Sequence, residues 1–290
     1  MLASTTLRQM LAEPEIIVLP GAYDTLSARL AERAGFRAAF TTGFGFAATV
    51  LGVPDFGLLT MSETMDRVRH IVSAIGIPLV ADMDTGYGNA LNVVRTVREC
   101  VALGVGGIIL EDQEWPKKCG HFEGKRVIPA EEQAAKLRAA ADARGDDGLV
   151  IIGRTDARQP LGLEEAIRRG KLYHESGADV VFVEAPRSVD ELREVARAIP
   201  DAPLFANMIE GGKTPLLSSA ELQELGYKMV VYPLSALFAA TKAVQETYRA
   251  LFEEKTTASR RDALVSFEEF EEIIDLAGWR ALEDRYSAES

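Results

Sequence analysis

Cysteine is scarce in this chain: Cys100 and Cys119 are the two among 290 residues. Two thiols make no disulfide framework, so a reducing, cytoplasmic setting is expected. Positive charge is in deficit, with 32 Lys and Arg against 44 Asp and Glu and a formal net charge of -12. Nucleic acid needs a basic face, so it is excluded as a general partner. No apolar run approaches the roughly 18 residues of a membrane span. The start, Met1-Leu2-Ala3-Ser4-Thr5, has no basic segment followed by a long apolar one, so neither membrane nor secretion is expected. A dinucleotide glycine fingerprint and a P-loop spacing are both missing. No linker rich in Pro, Gly or Ser breaks the chain, and no block is of low complexity.

What is present is an ordinary globular composition, 47% apolar and 26% charged, enough for a large core. Short runs rich in branched apolar residues recur at 16–20, 37–42, 78–84, 107–112, 149–156, 180–185, 203–208 and 229–234. Several are apolar almost throughout, as expected of parallel strands buried on both faces. Amphipathic segments lie between them at 24–34, 61–75, 90–103, 130–144, 163–176, 189–198 and 219–225. Ser218-Ser219-Ala220-Glu221 resembles a capped helix start. Gly35, Gly104, Gly177 and Gly226 each follow a helical segment, where a left-handed C-cap favours glycine. Eight such alternations predict a closed (β/α)₈ barrel over 1–240. A helical tail at 241–290, with Phe267, Phe270, Ile273, Ile274 and Leu276 at helical spacing and Trp279 and Tyr286 adding aromatic area, is surplus to a barrel. Cys100 sits in a helical pattern with Val97 and Val101 and reads as inert core.

Barrel chemistry gathers at the C-terminal ends of the strands. Strand three there reaches Asp82 and Asp84, and strand four reaches Glu111. Strand five reaches Arg154, strand six Glu184 and strand seven Asn207. Each carboxylate could cap a helix or pair with a lysine. Three together repel unless a cation sits among them, and hard oxygen ligands suit Mg²⁺, with Mn²⁺ as an alternative. Strand alternation should put Asp82 and Asp84 on one face.

After strand four comes Lys117-Lys118-Cys119-Gly120-His121. Flanking cations are expected to lower the thiol's pKa. Gly120 leaves the backbone open, so the loop can act as a lid that carries an acid. Arg154 suits a fork onto a substrate carboxylate, or ion pairs with Glu111 or Glu184. Further on, Asn207-Met208-Ile209-Glu210-Gly211-Gly212-Lys213-Thr214-Pro215 offers two adjacent glycines for close approach of an anion. Asn207 and Thr214 add hydrogen-bond donors there.

These motifs, together with Asp82-Met83-Asp84-Thr85-Gly86-Tyr87-Gly88, Gly153-Arg154-Thr155-Asp156 and Val183-Glu184-Ala185, resemble the isocitrate lyase/phosphoenolpyruvate mutase superfamily over nearly all of the chain. The likeness is greatest to its petal death protein-like and carboxyvinyl-carboxyphosphonate phosphorylmutase-like members. It implies a barrel whose last helix is exchanged between subunits, in a homotetramer built as a dimer of swapped dimers. It implies Mg²⁺ held by Asp84, with Asp82 and Glu111 contributing partly through water, and Cys119 as a general acid on a gating loop with Lys117 and His121. A 2-hydroxy or 2-oxo acid would meet Thr42, Gly43, Phe44, Gly120, Arg154, Glu184, Asn207 and Thr214. The implied reaction is retro-aldol C–C cleavage of a 2-alkylmalate or methylisocitrate, or hydrolysis of oxaloacetate. The alternatives are P–C bond formation by a phosphorylmutase and a non-catalytic binding barrel. Two positions depart from the familiar lyases: Thr42 stands where serine is usual, and Phe40 where some have tyrosine.

Overall fold

The computed structural model describes residues 3–287. Eight strands close into a parallel barrel in sequence order: β1 (Ile17–Ala22), β2 (Ala39–Thr41), β3 (Leu79–Asp82), β4 (Gly107–Glu111), β5 (Val150–Thr155), β6 (Val180–Val183), β7 (Leu204–Asn207) and β8 (Met229–Tyr232). β8 pairs back onto β1, so no edge is left open. The expected strands are all present, most ending a residue or two earlier than the apolar runs suggest.

The seven expected barrel helices are also present, from Thr25–Arg33 through Ser219–Glu224. Ser218 and Glu221 form a reciprocal capping box. Gly104 closes the helix Ala90–Leu103 in a left-handed conformation, φ 75°, with its N–H donating to the carbonyls of Cys100 and Val101. The Cys100 thiol is fully buried and pushed up to about 12 by that burial, so it is inert packing.

Period-two alternation assembles the barrel mouth. Phe40, Val80, Ile109, Ile152, Phe182, Phe205 and Val231 pack together in one apolar cluster. Two residues further along the same strands, and so on the same side, come Asp82, Glu111, Arg154 and Asn207, with Thr42, Glu184 and Pro233 one residue past the ends of β2, β6 and β8. The apolar layer supports a polar rim without any long-range rearrangement of the chain. At the other end, the helix Ala3–Ala12 delivers Leu7 and Met10 into the same cluster. This N-terminal plug was not expected from the sequence, because a ten-residue segment whose large apolar residues are Leu7, Met10 and Leu11 alone is a weak signal.

The chain divides into two compact units, Met1–Ala236 and Leu237–Ser290. In the second unit the helices Phe267–Ile273 and Leu276–Tyr286 carry much exposed apolar surface, with Phe267 81% and Trp279 64% accessible. Among the described residues no helix is long and apolar enough to cross a membrane.

Candidate active site

A cavity opens at the C-terminal end of the barrel. One side is polar: Asp82, Glu111, Lys117, Cys119, His121 and Arg154. Thr42, Phe44, Gly120 and Asn207 complete the expected residues that line it. The opposite wall is apolar, formed by Phe40, Ile209, Val231, Pro233 and Leu234. Glu184, Gly43 and Asp84 lie just behind this lining. Thr214 does not reach the cavity; its hydroxyl is buried with no hydrogen-bond partner.

The turn after β3 sets the carboxylates. Asp84 adopts a left-handed backbone, φ 48°, and its N–H donates to Asp82 Oδ1 at 3.2 Å. The two acids therefore converge through a turn and not through strand alternation, since β3 ends at Asp82. Gly43 marks the point of convergence: a Cβ there would meet Asp82 Oδ2 at 3.1 Å and Asp84 Oδ1 at 3.4 Å. Its own N–H donates to Asp82 Oδ2 at 3.3 Å. The Thr42 hydroxyl caps the short turn that follows by accepting from Gly45 N–H at 3.2 Å.

Lys117 sits on this acidic group, 2.7 Å from Asp84 Oδ1 and 2.8 Å from Asp55. Burial opposes its charge, but Asp84 and Asp55 hold the ammonium well above the ordinary lysine range. For Asp84, burial outweighs Lys117 and, with Asp82 and Asp55 nearby, lifts the carboxyl to about 7. Glu111 Oε1 is buried without a hydrogen-bond partner. Among the described residues, no three His, Cys, Asp or Glu side chains already form a metal cage. Lys117 contacts Asp84 where a cation would compete for it. The donor set is all oxygen, part of it unpartnered and short of positive charge, and it fits a hard divalent ion reached partly through water.

The thiol loop is pinned at several points. Lys118 N–H donates to Gln113 Oε1 at 3.0 Å, and Gln113 Nε2 donates back to the Lys118 carbonyl at 2.8 Å. Cys119 N–H donates to the Asp55 carbonyl at 3.1 Å. His121 Nδ1 accepts from Lys213 N–H at 3.0 Å, which leaves Nε2 to carry the ring proton. That nitrogen lies 3.0 Å from Glu184 Oε1, a close polar contact whose angles fall outside a good hydrogen bond. Burial would raise the Glu184 carboxyl, yet Arg154 and His121 hold it down to about 2. Gly120 tolerates no side chain: a Cβ would lie 2.5 Å from Arg154 Nη2 and 2.7 Å from Glu184 Cδ.

The thiol itself behaves oppositely to the expectation from its neighbours in sequence. Burial pushes Cys119 up to about 11; the backbone at His121 lowers it, while Asp55 and Glu184 raise it further. The Lys117 ammonium is occupied by Asp55 and Asp84, and the Lys118 ammonium turns out to the Gly124 carbonyl at 3.1 Å. Cys119 is therefore a protonated thiol at neutral pH.

Arg154 makes both ion contacts considered from sequence, 3.3 Å to Glu111 Oε2 and 3.5 Å to Glu184 Oε2, and rests 5.1 Å above the Phe182 ring. Its strongest partner went unnoticed: Asp156 Oδ2 accepts from Nε at 2.8 Å and Oδ1 from Nη2 at 3.1 Å. Behind it, Asp112 accepts from the Thr155 hydroxyl at 2.7 Å, Asp156 N–H at 2.8 Å, Tyr173 OH at 2.7 Å and Arg169 Nη1 at 2.9 Å. Asp55 was missed too, because it lies within a loop where strand ends give no guide.

The phosphoenolpyruvate phosphomutase family model matches residues 7–252. The chain is 45% identical over 281 residues to 2,3-dimethylmalate lyase of Eubacterium barkeri, covering 97% of each. It is 47% identical to the chloroplastic carboxyvinyl-carboxyphosphonate phosphorylmutase of Arabidopsis thaliana, over 98% of this chain and 84% of that one. The petal death protein of Dianthus caryophyllus is 46% identical over 97% of this chain and 89% of its own. Among solved structures, oxaloacetate acetylhydrolase with the inhibitor 3,3-difluorooxalacetate superposes with a TM-score of 0.94 at 34% identity, over 100% of this chain and 98% of that one. Phosphonopyruvate hydrolase in complex with oxalate and Mg²⁺ superposes with a TM-score of 0.88 at 33% identity, over 99% of both chains. This chain belongs to the phosphoenolpyruvate phosphomutase family, within the isocitrate lyase/phosphoenolpyruvate mutase superfamily.

Proposed function

We propose that this protein is a Mg²⁺-dependent carbon–carbon lyase that cleaves a small 2-hydroxy dicarboxylic acid bearing alkyl groups, a 2-alkylmalate or a methylisocitrate. The observation that carries this reading is a protonated thiol lining the same cavity as Arg154, Asp82 and Glu111, opposite an apolar wall. An anion-binding side and an alkyl-binding side in one cavity suit an alkylated dicarboxylate. The likeness to 2,3-dimethylmalate lyase supports the same class.

Asp84 would hold Mg²⁺, with Asp82 and Glu111 contributing in part through water. Bound there, the ion would neutralise the substrate's carboxylate and the oxygen beside it; the complex of phosphonopyruvate hydrolase with oxalate and Mg²⁺ is a parallel. Arg154 would draw a substrate carboxylate by its positive charge, its Nε–Nη2 edge being already held by Asp156. Thr42 and Asn207 border the same space. Once a base takes the hydroxyl proton, the oxygen's electrons form the C2=O bond as the C2–C3 bond breaks, releasing a 2-oxo acid and leaving the bonding pair on the carbon of the other, carboxylate-stabilised fragment. Cys119 donates its proton to that carbon, a step a thiol near 11 can perform without first being charged. The loop held by His121 and Lys117 excludes water while the carbanion exists.

The second reading, phosphorylmutase chemistry, rests on the likeness to the Arabidopsis enzyme. A panel of 2,3-dimethylmalate, other 2-alkylmalates and 2-methylisocitrate with MgCl₂, monitored for oxo-acid release, tests the lyase, and oxaloacetate is followed separately by oxalate formation. A new P–C resonance in a ³¹P NMR assay would favour the mutase. We also assign the exposed apolar tail to a subunit interface in a helix-exchanged tetramer; a monomeric mass by light scattering would reject that assignment.

A further inference from the structure

We propose that Lys125 is a positioning residue that latches the thiol loop to the carboxylate-binding arginine, so that the placement of Cys119 and the orientation of Arg154 are set together. The proposal deepens the lyase reading and rests on Cys119 as the proton donor.

Lys125 lies six residues beyond the thiol in a stretch whose neighbours, Gly124 and Arg126, are exposed, yet its own side chain is fully buried. Burying an ammonium is costly unless it is paired and hydrogen-bonded. Two acceptors are in place: the Gly120 carbonyl at 2.5 Å and Asp156 Oδ1 at 2.7 Å. The first belongs to the residue next to the thiol. The second belongs to the carboxylate that already grips Arg154 through two hydrogen bonds.

Asp156 cannot drift to follow the loop. Its N–H is fixed on Asp112, which the Thr155 hydroxyl, Tyr173 and Arg169 hold in turn. The rigid partner is therefore the barrel, and the movable partner is the loop. The opposite face of Gly120 abuts Arg154 Nη2 and the Glu184 side chain, leaving no room even for a methyl group. A carboxylate drawn to Arg154 would bear on the group that Lys125 ties to Gly120. The loop is thus held shut most firmly when the arginine is in its substrate-binding pose.

The test uses the full-length protein with Lys125→Met and Lys125→Arg. Iodoacetamide labels the thiols, peptide mass spectrometry separates Cys119 from Cys100, and 2 conditions are compared, MgCl₂ alone and MgCl₂ with oxalate. A latch predicts Cys119 labelling at least ~10-fold faster in Lys125→Met, with Lys125→Arg partly restoring protection. Loss of a nearby cation acting only through charge would disfavour the thiolate and slow labelling, so the two explanations differ in sign. On whichever acid the enzyme turns over, kcat should fall about 10–100-fold while KM changes little. Unchanged or slower labelling in a folded Lys125→Met protein overturns the proposal. If no acid in the panel is cleaved, the lyase reading fails while the labelling arm still decides the latch. Should Lys125→Met not fold, hydrogen exchange on the native protein decides: oxalate must slow the amides of 118–122 by about tenfold or more. No slowing there overturns the latch.

Discussion

Alanine at Gly120 would place a methyl group 2.5 Å from Arg154 Nη2 and 2.7 Å from Glu184 Cδ, whereas ordinary contact begins near 3.4 Å. Neither neighbour can yield. Asp156 clamps the guanidinium through two bonds, and Glu184 is held between Arg154, His121 and Asn207. Gly120 has an ordinary negative φ, so the substitution adds volume without backbone strain. The loop must therefore retreat by about 1 Å, carrying Cys119 with it, and a misplacement of that size costs roughly 10²-fold in rate, or ~2.7 kcal/mol in the barrier. Steady-state kinetics on the acid panel should show kcat/KM down by about that factor, with oxalate affinity by calorimetry within about threefold of the parent, because Asp156 keeps Arg154 in place while the loop moves. Full activity in Gly120→Ala would refute the claim that this closed loop position is the one that reacts.

Three further outcomes follow from the same geometry. Because burial holds the Cys119 thiol near 11, its labelling by iodoacetamide should climb tenfold per pH unit from 7 to about 10; a plateau by pH 8.5 would contradict the burial argument. MgCl₂ should raise the melting temperature, by an amount equivalent to ~2.7 kcal/mol at one hundred times the dissociation constant, and Asp84→Asn should abolish the rise. A parent protein indifferent to MgCl₂ would remove the metal from the account. Glu165, which holds Arg168 and Arg169, has its carboxyl lowered to about 2 chiefly by its bond to Arg168. Its contribution is present above pH 4.5 and lost as the pH falls through 2, so Glu165→Gln should cost about 1 kcal/mol at pH 7 after allowance for solvent screening, and little at pH 2.

The barrel was readable because parallel strands buried on both faces leave apolar runs, and because glycine C-caps punctuate the helices between them. The rim residues followed from the strand ends: Glu111 and Arg154 stand side by side in register. What sequence hid was pairing in space. Lys117 and Lys118 flank the thiol in the chain, but their ammonium groups point to Asp55, Asp84 and the Gly124 carbonyl, and the thiol is governed by burial. Lys125 reads as one member of an exposed basic stretch, and nothing local marks it as buried. Asp156 lies one residue past β5, yet its ties to Lys125 and Asp112 span 31 and 44 residues. Charged networks of this kind have no period to detect.

The most direct test of the whole account is turnover of a 2-alkylmalate by Cys119→Ser, read as oxo-acid release, beside oxalate binding by calorimetry in the same protein. A proton delivered by the thiol predicts kcat lower by about 10²–10⁴-fold with oxalate affinity nearly unchanged. Parent-like kcat in that variant would contradict it.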